Sequence, residues 1–142
     1  MKKTIKSTFS VLLVVICLFS LTACGNAVEK TALWESAIYL NDTELGDGEN
    51  TVVVEVKAEK KIVTFTIKTD KKTVGAALFE HKLIDGDEGE YGLYVKTVNG
   101  ITADYDVDKS YWAFNINGEY ATSGVDTTEI KEGVTYQLVY TK

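Results

Sequence analysis

The sequence predicts an α+β domain built on a mixed or antiparallel sheet with one covering helix. Three observations predict it. Val52, Val54, Val56 and Ala58 alternate with Val53, Glu55 and Lys57, and Val63, Phe65 and Ile67 do the same against Thr64, Thr66 and Lys68, the period-two signature of half-buried strands. One stretch, Thr73 to Leu83, carries Val74, Ala77, Leu78 and His81 at helical spacing. The second half returns to strands without alternating strand and helix, which excludes a parallel doubly wound sheet.

Before the domain lies an address. Lys2, Lys3 and Lys6 precede an apolar run from Val11 to Leu21, short for a membrane span and suited to a secretory signal. Leu21-Thr22-Ala23-Cys24 closes it as a bacterial lipobox does, so residues 1–23 are expected to be removed and Cys24 to become the acylated first residue. Each acyl methylene buried in the bilayer adds about 0.8 kcal/mol of membrane affinity. The expected location is the extracytoplasmic face of the cell membrane. Residues 24–32 form a short tether, and 33–142 the domain.

Composition narrows the partners. The chain has 15 lysines, no arginine and 21 acids. Three lysines fall within the signal, leaving twelve against 21 and a charge of −9 after processing. Such a surface repels nucleic acid and anionic lipid, and without arginine it lacks the planar fork that clamps phosphate. Cys17 leaves with the signal and Cys24 is acylated, so no disulfide is expected.

Along the domain, Leu33–Leu40 reads as a first strand, and Asn41–Asn50, dense in Asp, Glu and Gly, as a break. The two valine-rich strands form a hairpin around Glu59-Lys60. The helix has Asp70 or Thr73 as its N-cap and Gly86 shortly past its end. Strands then follow at Gly92–Val98, Trp112–Asn117, Glu119–Ser123 and Val134–Thr141, with Asn99-Gly100 and Asn117-Gly118 as turns that tolerate positive φ. Trp112, Phe114 and Ile116 share one face, and Val134, Tyr136, Leu138 and Tyr140 another.

The inventory for catalysis is poor. His81 is the sole histidine, no Gly-x-Ser-x-Gly elbow surrounds Ser36, Ser110 or Ser123, and no glycine-rich phosphate loop follows a strand. A non-enzyme is expected. Acidic loops offer a second chemistry: Asp85 and Asp87 after the helix, and Asp104, Asp106 and Asp108 before Trp112. The latter three open like an EF-hand loop for Ca²⁺, but Lys109 stands where glycine is needed and Asn115 where a bidentate Glu belongs. Aromatics offer a third, since Tyr91, Tyr94, Tyr105, Tyr111, Trp112 and Tyr120 cluster around the two Asn-Gly turns and present flat faces for a planar ligand or sugar, Tyr91, Tyr94, Tyr105, Trp112 and Tyr120 being the ligand candidates.

The ordered motifs Thr73-Val74-Gly75-Ala76-Ala77-Leu78, Gly92-Leu93-Tyr94-Val95, Val98-Asn99-Gly100-Ile101, Trp112-Ala113-Phe114-Asn115-Ile116-Asn117-Gly118-Glu119 and Lys131-Glu132-Gly133-Val134-Thr135-Tyr136 together resemble bacterial exported proteins related to the C-terminal domain of transcobalamin. The resemblance covers about residues 50–142. It implies a β-grasp-like domain that binds a soluble ligand, with a corrinoid (cobalamin) as the specific expectation and Trp112 and Asn117 at family-like positions. In that family the domain closes over a corrinoid held by a separate helical barrel, so the resemblance implies a partner, a second copy or weak binding here. A membrane transporter would receive the ligand, and no cofactor is required. Two other readings stay open: a divalent-cation module using the acidic loops, and a structural or adhesive surface domain.

Overall fold

A computed structural model describes residues 32–142. The signal, Cys24 and nearly all of the tether lie outside the described residues. The order of elements is a 3-10 turn (Ala32–Ser36), β1 (Thr43–Gly46), β2 (Asn50–Ala58), β3 (Lys61–Thr69), α1 (Val74–Glu80), β4 (Ile84–Gly89), β5 (Gly92–Val98), β6 (Ile101–Thr102), α2 (Tyr105–Asp108), β7 (Tyr111–Ile116), β8 (Glu119–Tyr120) and β9 (Thr135–Thr141).

Strands β1-β3-β2-β9-β7-β8 form one six-stranded mixed sheet, and β4-β5-β6 a second, antiparallel one. In the large sheet β1 runs parallel to β3 and β9 parallel to β2, while the other pairs are antiparallel. One face is core: Val52, Val54, Val56, Ala58, Val63, Phe65 and Ile67 are buried, as their alternation requires, and Tyr136 and Leu138 of β9 join them. Helix α1 presses Val74, Ala77 and Leu78 onto that face, and the small sheet adds Ile84, Val98 and Ile101. The result is an α+β fold of β-grasp-like form, and no helix among the described residues is long and apolar enough to cross a membrane.

The hairpin is as its period predicts, with Val54 opposite Phe65 and Glu59 taking φ 56° in the turn. Leu33–Leu40, by contrast, is not a strand. Trp34 turns inward there, buried to 1% exposure, donating its indole N–H to Ala58 O at 3.1 Å and lying under the Lys61 ammonium 4.9 Å from its ring. Burying so large a side chain outweighs any local strand preference. The strand sits instead inside the predicted break, where Asp42 Oδ1 accepts from Thr64 N–H and sets β1 beside β3.

The helix is shorter than its spacing predicts. Thr73, not Asp70, caps it, its hydroxyl accepting from Ala76 N–H, and the chain leaves after Glu80 with Lys82 at φ 55° as the left-handed residue. Gly86 therefore plays no part in ending the helix. It lies in β4 at a register shift, where an added Cβ would fall 2.0 Å from Tyr94 O. Glycine is needed there because two backbones meet. The segments read as acidic loops are thus ordered elements: Asp85 and Asp87 belong to β4, and Asp104 to Asp108 form the cap and body of α2.

Candidate functional site

Three tyrosines from three elements line one shallow cleft of about 490 Å³: Tyr94 on β5, Tyr105 at the start of α2 and Tyr111 at the start of β7. Tyr94 and Tyr105 are about half exposed, at 46% and 51%. Tyr105 meets Tyr111 edge-on, with ring centroids 6.5 Å apart, and Lys109 Nζ lies 4.7 Å from the Tyr105 centroid. Local sequence explains the array. Asp104 caps α2 by accepting from Asp106 and Val107 N–H, which fixes Tyr105, and Ser110 OH donates to Asp108 while its oxygen accepts from Asp104 N–H, which fixes the approach to Tyr111.

The Tyr111 hydroxyl reaches the Tyr120 hydroxyl at 3.5 Å, which links this cleft to a second concavity. There Ile116, Asn117, Glu119, Tyr120, Ala121 and Thr122 line a hollow that continues into a groove of about 630 Å³ with Ser123, Thr127, Thr128, Lys131 and Tyr136 in its walls. Asn117 shapes the turn: it takes φ 50°, its Oδ1 accepts from Thr135 N–H, and the following Gly118 N–H donates to Gln137 Oε1. Ser123 and Thr128 share a hydroxyl contact of 2.9 Å. Aromatic faces line one concavity and hydroxyls the other, and the Tyr111–Tyr120 hydroxyl contact stands between them on the surface about β7 and β8.

Of the residues predicted from sequence, Tyr94, Tyr105, Asn117 and Tyr120 lie on this surface. Tyr91 does not line either concavity; it stands 92% exposed at the β4–β5 turn. Trp112 is displaced from the ligand-facing set because it is core: it is 7% exposed, donates to Ile101 O at 3.2 Å and packs edge-on against Tyr140. Tyr111, grouped with the clustered aromatics but left out of the predicted site, lines the cleft and touches Tyr120. Its signal was parity, since it precedes Trp112 in β7 and so points to the opposite face.

The five aspartates proposed for a cation do not converge. Among the described residues no three His, Cys, Asp or Glu side chains gather where one ion could be held. Each is otherwise engaged or dispersed: Asp85 accepts from Gly86 N–H, Asp87 pairs with Lys96, Asp104 caps α2, and Asp108 holds Ser110 and Lys142. Those contacts set the local charge. The Ser110 hydroxyl, with the Lys142 ammonium and Ser110 N–H, lowers the Asp108 carboxyl to about 2. The hydrogen bond and charge of Asp87 raise Lys96, and the hydrogen bond with Tyr120 raises Tyr111. His81 ends α1 with Nε2 buried and unpartnered, 4.0 Å from Glu80.

Residues 71–142 match the model of a family described as a domain of unknown function, DUF4430. A crystal structure from Ruminococcus gnavus, described as a candidate metal-binding protein, is 32% identical with a TM-score of 0.62, covering 66% of this chain and 98% of its own. Haptocorrin in complex with Cbi is 17% identical with a TM-score of 0.53, covering 65% of this chain. This chain spans only 25% of haptocorrin, so the likeness is one of fold. No curated protein matches the sequence.

Proposed function

Because the chain belongs to the DUF4430 family, whose description assigns no activity, we propose a function from the surface itself: a non-enzymatic, lipid-anchored extracytoplasmic module that binds a large, flat, soluble ligand. The observation that carries the reading is the cleft lined by Tyr94, Tyr105 and Tyr111, with a hydroxyl-lined groove on the same domain and the Tyr120 hydroxyl 3.5 Å from that of Tyr111 between them. Rings stack on Tyr94 and Tyr105, whose faces are apolar and whose hydroxyls reach water. Amide or hydroxyl substituents meet Asn117, Thr122 and Ser123 in the groove.

A corrinoid is the specific ligand we infer. Its ring system is large and planar, its rim is rich in amides, and the motif order resembles transcobalamin-type domains. Haptocorrin, which shares the fold, is described with Cbi, and this makes corrinoids the first probes to use. The surface is open, so a second wall from a partner or another copy would complete a site able to bury so large a molecule. A membrane transporter is the partner that an anchored capture module would serve.

Titrating the protein with cobalamin and cobinamide, following the visible spectrum and the heat released, tests the reading. Binding supports it, and no signal at high micromolar concentration removes the corrinoid. The description of the Ruminococcus gnavus protein favours a second reading, divalent-cation binding. Calcium that raises the melting temperature in a saturable way supports that reading, since an ion held only by the folded state stabilises it. If neither probe binds and crosslinking in cells recovers a protein partner, the domain is adhesive or structural.

A further inference from the structure

One face of the large sheet packs against α1 and the small sheet, and strand alternation sends every second side chain to the other face. On that outer face β7 places Tyr111, Ala113 and Asn115, and Asn115 pairs with Tyr120 of β8, so the four side chains lie on one side. The Tyr111 and Tyr120 hydroxyls meet at 3.5 Å. Ala113, between Tyr111 and Asn115, is only 5% exposed although α1 does not cover its face. Two rings closing over an alanine account for that burial. Beside them Asn115 Oδ1 is buried with no hydrogen-bond partner. Its neighbour across the β7–β9 ladder is committed elsewhere: Gln137 Nε2 donates to Glu55 Oε2 at 3.1 Å, and Gln137 Oε1 accepts from Gly118 N–H at 2.8 Å.

We propose that Tyr120 is a movable cover over a donor-binding slot, with Ala113 as its floor and the Asn115 side-chain carbonyl at its end, and that this slot selects ligands bearing an N–H or O–H substituent. The proposal rests on the planar-ligand reading above, since Tyr111 is a wall of the slot and of the tyrosine cleft alike. Tyr111 and Asn115 are four residues apart on one strand, about 13 Å. The slot therefore takes a side arm of a ligand whose ring system lies on Tyr94, Tyr105 and Tyr111.

The closed arrangement is weakly held. Tyr120 is 68% exposed, the strand that carries it has two residues, and a hydroxyl contact of 3.5 Å is longer than the roughly 2.5–3.0 Å of a settled O–H···O bond. Against that slight hold stands an acceptor taken out of water with nothing donating to it, which costs free energy for as long as it stays covered. A ligand arm that displaces the Tyr120 ring and donates to Asn115 removes that cost. An arm that can only accept leaves two oxygens facing each other. Primary amides and alcohols are thereby favoured over esters of similar size, the discrimination that a site built to meet a donor achieves.

Two neutral corrinoids that differ at the rim test it: dicyanocobinamide, whose arms are amides, and the heptamethyl ester of dicyanocobyrinic acid, whose arms only accept. Visible-spectrum titrations in one dilute-ethanol buffer give the preference of the protein for the amide probe. Asn115→Leu, close in shape but without the amide, is expected to lower that preference about tenfold. Tyr120→Ala is expected to keep the preference and to speed association of the amide probe several-fold in stopped flow. With no ligand present, Asn115→Leu should melt no lower than the parent, because the acceptor it deletes is unmet. An unchanged preference in Asn115→Leu, with both probes binding the parent, overturns the proposal, as does an association rate indifferent to Tyr120→Ala. A melting temperature lowered by Asn115→Leu overturns it too, by showing that the amide is satisfied within the fold. If neither probe binds the parent, the corrinoid reading fails and the slot falls with it, a result distinct from an unchanged preference.

Discussion

Asn99 and Tyr39 exchange two hydrogen bonds across sixty residues: Asn99 Oδ1 accepts from Tyr39 N–H at 2.9 Å, and Asn99 Nδ2 donates to Tyr39 O at 2.8 Å. The side chain is fully buried, and the backbone of Asn99, at φ 51°, also donates to Leu83 O and accepts from Ile38 N–H. One turn residue thus fastens the segment before β1 to the small sheet. Asn99→Ala should destabilise the fold by about 3 kcal/mol, from two lost hydrogen bonds of about 1 kcal/mol each and a similar cost for alanine in a left-handed conformation. Asn99→Gly, free of the second cost, should lose about 2 kcal/mol. Urea titrations of both variants check the difference.

Trp34 is the next test. Trp34→Ala should cost about 3–5 kcal/mol, the range for deleting a large buried side chain, and it leaves Ala58 O without its partner and strips the covering ring from Lys61. A variant that melts like the parent would show that the N-terminal turn is not part of the cooperative unit.

Gly75 tests close approach against helix propensity. Alanine is favoured over glycine inside a helix by about 1 kcal/mol, yet a Cβ here would stand 2.9 Å from both Asp126 Cα and N. Gly75 N–H also donates to Val125 O at 2.7 Å. Gly75→Ala should therefore lower stability, by about 1–2 kcal/mol after the propensity gain. Thermal melts give the sign directly.

The acid limb of stability should carry the mark of Asp108. Its folded carboxyl titrates at about 2, below the ordinary 3.8. The unfolded chain therefore binds the proton first, so the stabilisation is complete above pH 4 and lost as pH falls towards 2. Asp108→Asn should flatten that limb, reducing proton uptake on unfolding by somewhat less than one proton. Denaturation midpoints measured from pH 2 to 5 test it, and an unchanged slope would sink the assignment.

Tyr94 and Tyr105 separate the surface from the core. Alanine at either position should leave stability within about 0.5 kcal/mol while weakening a bound planar ligand about fivefold, the equivalent of about 1 kcal/mol of aromatic contact. Trp112→Ala should do the reverse, lowering stability by about 3–5 kcal/mol. Paired melting and titration curves make the comparison.

Much of the fold was legible in the sequence because its strongest signals are periodic. The hairpin of β2 and β3, the helix at Val74 and both Asn-Gly turns follow from alternation, spacing and positive φ, each a property of neighbours in the chain. What escaped depends on distant partners. Nothing local in Leu33–Leu40 says that Trp34 finds Ala58, and nothing local in Asp42 says that it accepts from Thr64 and turns an acidic stretch into β1. The site divides likewise. Tyr94, Tyr105, Asn117 and Tyr120 were found by residue type near turns; Trp112, kept as a ligand candidate, shares the apolar alternation of Phe114 and Ile116 that β9 covers, and Tyr111, grouped with the aromatics but left out of the site, has the opposite parity. Spacing along the chain likewise does not say that Asp87 pairs with Lys96 or that Asp104 caps α2.

Strand β9 lies between β2 and β7, and those two are joined only through it. Glu55 thus waits for Gln137, 82 positions later, both as a register partner and as a hydrogen-bond donor. A growing chain can close the β2–β3 hairpin early, but the six-stranded sheet has a gap at its centre until β9 arrives. Assembly is therefore gated by β9, and termination between Ile116 and Thr135 would leave β2 and β7 as open edges ready to pair with the wrong molecule.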